Sequence, residues 1–218
     1  MDNRQLQAYL QEIISQSVMA ECALNALNQI MAVRNEIANC TDIYARRKMR
    51  EESAHLSNDT FRNIHSFLTH LSNISRLIWP PVISSVTKCY CGKPKANGMV
   101  CGSCFGRARS ADVLAALGLN DSDHIIKTRE IRNHLEHFDE RLDSWVQTSQ
   151  RGNLVQDFVG PKGFFQGIDD GDCMRQFDPI TGDLLFRGET YSLVALYSGL
   201  QDINQRAAVA FHKSLSQR

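Results

Sequence analysis

Along the N-terminal segment apolar or small residues recur every three or four positions: Leu6, Leu10, Ile13, Ser17, Ala20, Leu24, Leu27 and Met31. That spacing places one stripe on one face of a helix, with small residues where another backbone can approach. Polar Arg4, Gln7, Gln11 and Gln16 flank it, and the pattern predicts a helix from about Asn3 to Asn39. A second stripe, Thr60, Ile64, Phe67, Leu71, Ile74 and Ile78, predicts a helix from about Ala54 to Trp79. Pro80-Pro81 stops it, because proline disfavours helix at the residue before it and supplies no amide donor.

Further on, Ser110 reads as the N-cap of a short helix, Ala111 to Leu117, closed by Gly118. Asp121, Ser122 or Asp123 caps a longer helix that reaches Val146, with Ile131, Leu135, Phe138, Leu142 and Trp145 as its apolar face. Ile125 and Ile126 fall off that face, so a kink or break is expected near Lys127. Between Arg151 and Gly188 lie seven of the thirteen glycines, and the helical rhythm stops. Met174 to Phe186 reads as two short strands around a Pro/Gly turn. A last helix, Thr190 to Leu215, carries Leu193, Leu196, Leu200, Ile203, Ala207 and Ala210.

The fold class expected is mainly α. It is an antiparallel helical bundle with an inserted zinc-binding loop and a small C-terminal β-hairpin followed by a helix. Residues 1–150 form the bundle, including the loop at 87–106. Residues 151–218 form the Gly-rich hairpin segment and the C-terminal helix packing on the bundle.

Composition is that of an ordinary globular chain, with 43% hydrophobic and 22% charged residues, which argues against global disorder. Formal net charge is zero, so attraction to nucleic acid must come from a local patch. The N-terminus has an acidic second residue and no apolar core segment, unlike a signal peptide. No run approaches the ~18 apolar residues of a membrane span. A cytoplasmic protein with reduced thiols and no membrane partner is expected.

Four of the seven cysteines cluster as Cys89-x-Cys91, nine residues, Cys101-x-x-Cys104. Two thiolate pairs on tight turns can meet one tetrahedral Zn²⁺, and four sulfurs leave no open position, so a structural zinc is expected. A disulfide pair, an iron–sulfur cluster or unligated thiols are the alternatives. From Lys88 to Arg109 there are five basic residues and no acidic one. With four thiolates and Zn²⁺ the local charge is about +3. Such a loop is either a phosphate-facing patch or simply solvated by its lysines. Cys22, Cys40 and Cys173 receive no role. Asp169-Asp170-Gly171-Asp172 reads as a turn rather than a calcium loop. Arg46-Arg47-Lys48-Arg50, followed by Glu51-Glu52, reads as a solvated linker between helices.

The helix around residue 131 contains Arg132-Asn133-x-x-x-His137. This resembles the R-N-x-x-x-H signature of HEPN domains, helical proteins that include metal-independent ribonucleases of toxin–antitoxin and antiviral defence systems. The resemblance covers residues 1–150 and leaves out the zinc loop and hairpin. It implies that His137 transfers protons, Arg132 faces the phosphate and Asn133 orients them. The chemistry suits the residues: histidine titrates near neutral pH, and arginine carries a permanent planar charge. Five helical positions put Arg132 and His137 about 140° apart, so one helix does not converge them. A symmetric homodimer, usual in this family, would pair arginine and histidine across two chains. RNA and a cognate antitoxin or regulatory protein are the implied partners. The same residues also fit a solvated helix face, with Arg132 and Glu136 as an i,i+4 pair and His134 on the surface. Against an endoribonuclease stand two alternatives. One is a non-catalytic zinc-containing scaffold that binds a protein or RNA, and the other a regulator that only dimerises.

Overall fold

Asp2 begins the first helix as a capping box: its Oδ1 accepts from the Gln5 amide at 2.7 Å, and Gln5 Oε1 accepts from the Asp2 amide at 3.2 Å. In the computed structural model, which describes residues 1–80, 102–120, 124–128, 130, 133 and 136–216, helix α1 then runs Asn3–Asn39. Mainly helical, the described chain continues with α2 (Ile43–Glu52), α3 (Leu56–Ile78), α4 (Gly102–Leu117), α5 (Phe138–Thr148) and α6 (Leu193–Leu215). A small four-stranded sheet precedes α6. Its strands are β1 (Val155–Val159), β2 (Cys173–Asp178), β3 (Asp183–Phe186) and β4 (Glu189–Ser192).

Two compact units make up the chain. The first comprises Met1–Val18, His70–Thr128 and Ser198–Arg218. Its core includes Leu10, Ile13, Leu71, Ile74, Ile78, Val113, Leu117, Ile126, Leu200, Ile203 and Ala207, all buried. Each of the leucine, isoleucine and valine side chains contributes roughly 1.5–3 kcal/mol when fully buried. Polar ties join its helices. Asn3 and Gln7 donate to Ser214 O at 2.9 and 3.2 Å, and the terminal ammonium meets Asp112 at 2.7 Å. Gln7 is thus buried rather than flanking the stripe as its polarity suggested. His124 caps a 3-10 turn at Ile125–Lys127 and stacks on Trp79 at 5.7 Å. This turn, followed by extended Thr128, is the break expected near Lys127. Asp121–Asp123 lie outside the described residues.

Helix α4 starts earlier than its sequence signals. Ser110 sits inside it, and its hydroxyl donates to Ile78 O at 2.6 Å instead of capping. The C-terminal end is as expected. Gly118 takes φ +63°, and Leu119 N donates to Leu114 O at 2.9 Å, a Schellman closure.

The second unit comprises Met19–Thr69 and Arg129–Tyr197. Ile30, Ile37 and Leu56 form a small core with Met31 and Met49 packed on it. The α1 stripe shifts phase here: Ala23 and Ile30 are buried, while Leu24 and Met31 are half-buried. Arg46–Arg50 is not an irregular linker but part of helix α2. Asp42 Oδ1 caps it by accepting from Tyr44 N and Ala45 N. None of its residues is buried.

Strand order is β1-β2-β3-β4, with β1 parallel to β2 and the other pairs antiparallel. The expected hairpin is β2–β3, with Phe177 opposite Leu184. Gly182 at φ +73° closes its turn. Two further strands flank the hairpin. Thr190 lies in β4, and α6 begins only at Leu193, where Ser192 Oγ accepts from Ala195 N at 3.3 Å. Arg187 and Gly188 both take positive φ between β3 and β4, the geometry of a tight hairpin turn.

Candidate functional site

The histidine of the Arg–His motif stands where a helix restarts. Glu130, Asn133 and Glu136 are helical, but His137 leaves helical geometry, with φ −102° and ψ 41°, and α5 begins at the next residue. Its amide still donates to Asn133 O at 3.0 Å, so Asn133 and His137 remain neighbours on one face. The His137 Nδ1 lies 3.2 Å from Glu140 Oε1, with both side chains more than half exposed. When Nδ1–H donates to that carboxylate, Nε2 carries the imidazole lone pair and is the nitrogen able to take a proton. Asn133, His137 and Glu140 are thus together at the surface. Arg132 and His134 lie outside the described residues.

Because α5 buries no residue, other contacts hold it. Trp145 Nε1 donates to Asp172 Oδ1 at 3.0 Å and to Asn153 O at 3.1 Å. Phe138 meets the Phe186 ring edge-on at 6.5 Å. The Arg175 guanidinium lies 4.8 Å over Phe138 and pairs with Asp157 at 2.7 Å. Arg187, from the β3–β4 turn, donates to Arg141 O at 3.1 Å. The Asp169–Asp172 segment forms a 3-10 turn whose last carboxylate anchors the indole.

Of the four clustered cysteines, Cys104 is described and Cys89, Cys91 and Cys101 lie outside the described residues. Cys104 is the third residue of α4, half-buried and not in a disulfide. Arg107 Nη2 approaches its sulfur at 3.5 Å, a cation suited to a ligating thiolate. Among the described residues no three His, Cys, Asp or Glu side chains converge as a metal site. Of the four thiols expected from the sequence to hold zinc, only that of Cys104 is thus among the described residues. Cys173 is buried, and desolvation, with Asp170 nearby, pushes its thiol up to about 11. It is a poor nucleophile.

One group escaped sequence reasoning. Arg34 sits on the α1 face between buried Ile30 and Ile37 and lines a cavity of about 280 Å³. A cation four residues after one core isoleucine and three before the next was the signal that could have found it.

No family model, curated protein or solved structure matches the chain. The HEPN resemblance therefore rests on the motif and on what surrounds it. Among the described residues no helix is long and apolar enough to cross a membrane.

Proposed function

We propose that the chain is an HEPN-like, metal-independent endoribonuclease, serving as a toxin or antiviral defence effector. The observation that carries this reading is the exposed His137 imidazole, aligned by Glu140 beside Asn133. In the reaction Nε2 takes the proton from an RNA 2′-hydroxyl. That oxygen attacks the adjacent phosphorus, the P–O5′ bond breaks, and the 5′-oxygen leaves as a hydroxyl with a proton from water, giving a 2′,3′-cyclic phosphate. Arg132 supplies the cation for charge developing on the phosphate, and Asn133 orients the groups.

The fold this requires is an antiparallel bundle with residues 87–106 as a zinc-binding insertion. The buried stripes of α1, α3 and α6 support it. Bound by Cys89, Cys91, Cys101 and Cys104, zinc would cross-link the loop and supply no step of the chemistry. A homodimer brings Arg132 of the partner subunit toward His137. A cognate antitoxin or regulatory protein holds the activity in check in the cytoplasm.

The test is cleavage of a broad RNA panel in EDTA. Cyclic-phosphate products, resistance of 2′-deoxy substrate, and loss of cleavage in Arg132→Ala and His137→Ala but not His134→Ala are expected. Intact RNA throughout would instead favour the non-catalytic zinc scaffold, for which an exposed polar helix face needs no chemistry. Elemental analysis should give one zinc per chain, and light scattering a dimer. A monomer would remove the composite site.

A further inference from the structure

The cavity beside Arg34 is lined by two arginines and, among the described residues, by no carboxylate. Its walls include Arg34 and Ile37 of α1, Arg50 and Ser53 at the end of α2, and Leu56 and Ser57 of α3. At about 280 Å³ it is far roomier than the ~30 Å³ share of one water. Arg34 Nη2 donates to the Ser57 hydroxyl at 2.7 Å, a neutral acceptor. Its Nε is shut off from solvent and has no acceptor among the described residues.

Two of the other cations of α2 are paired within the helix. Arg47 pairs with Glu51, and Lys48 with Glu52. Among the described residues neither Arg34 nor Arg50 pairs with a carboxylate. Burial lowers the Arg34 pKa from its usual value through desolvation alone, with no anion offsetting it. An arginine there remains charged. A half-buried guanidinium bonded to a neutral hydroxyl keeps further N–H donors, which an oxyanion in the cavity would engage.

We propose that this cavity binds a phosphate group, from a phosphorylated small molecule or from an RNA backbone, with Arg34 and Arg50 as its charged donors and Ser57 positioning Arg34. Phosphate presents several acceptor oxygens on one centre, which suits two guanidinium forks entering from different helices. The site lies outside the Asn133–His137–Glu140 group and does not depend on the ribonuclease reading.

The experiment titrates a ribonucleoside 5′-monophosphate, and separately an uncleavable 2′-O-methyl RNA, into the full chain by calorimetry. Inorganic phosphate serves as competitor. Binding of either ligand, displaced by phosphate, is expected. Arg50→Gln should weaken it by about tenfold or more, as for a lost charged hydrogen bond, and Arg34→Gln should abolish it. Arg47→Gln removes the same charge from the same helix outside the cavity and should change little. If Arg34→Gln does not fold, the contrast of Arg50→Gln with Arg47→Gln decides. Monophosphate binding identifies a small ligand, and binding confined to RNA identifies the backbone; both support the site. Absence of binding to either ligand, or equal losses in Arg47→Gln and Arg50→Gln, overturns it. No readout involves cleavage, so this result and the ribonuclease test fail independently.

Discussion

Helices α3 and α5 are built on opposite principles. Every residue of the α3 stripe, from Thr60 to Ile78, is buried to 5% exposure or less. Helix α5 buries none and is tied down by an indole, two guanidinium groups and an aromatic edge. Where burial is the glue, position along the sequence specifies the element. Where directed polar contacts are the glue, the helix keeps a free polar face, and that face is where reacting groups can stand.

The contrast breaks most visibly at His137 and Phe67. His137→Ala should lower RNA cleavage by about 10²–10⁴-fold, the usual worth of a proton-transfer group. It should leave the unfolding midpoint nearly unchanged, because the ring is exposed. Phe67→Ala should do the reverse, costing about 3–5 kcal/mol of stability by denaturant titration. A large stability loss for His137→Ala would mean that the α5 face is structural.

Trp145→Phe sharpens the comparison. It keeps the aromatic body but removes the N–H that Asp172 accepts from. With Asp172 only 4% exposed, the expected loss is about 1–3 kcal/mol, read by chemical denaturation. An unchanged midpoint would show that α5 is held by packing after all.

The smallest effect lies in α6. The Arg206 hydrogen bond to Asp202, with help from His124, holds that carboxyl below the usual carboxylate range against the opposing effect of burial. The folded value is thus below the unfolded one. The stabilisation is complete above an unfolded pKa of about 3.9 and is lost as pH falls through the folded value. Asp202 is 43% exposed, so the pair is worth less than about 1 kcal/mol. Asp202→Asn should flatten only the acid limb of a stability–pH profile.

The stripes of α3 and α6 were readable because each of their chosen positions is buried. The β2–β3 hairpin was readable because its turn residues carry their own conformational preference. Strand β1 was not, since its partner β2 is parallel and lies across a long connection, which no local pattern records. Strand β4 was absorbed into the last helix because Thr190 to Ser192 runs straight into that helix's rhythm. Helix α2 has no buried position to give it a stripe. At the site, the neighbourhood of Asn133, His137 and Glu140 followed from helical spacing. The break at His137 did not, because nothing in Glu-His-Phe interrupts a helix. Arg34 was overlooked because it is one polar residue inside an apolar stripe, and the other walls of its cavity come from two other helices.

The chain has two tryptophans, and each unit holds one. Trp79 is 4% exposed and stacked on His124, while Trp145 is half-buried with its N–H engaged by Asp172. The two indoles are therefore separate optical reporters of the two units. Single-tryptophan variants would show by their emission whether the units lose order at one denaturant concentration or two.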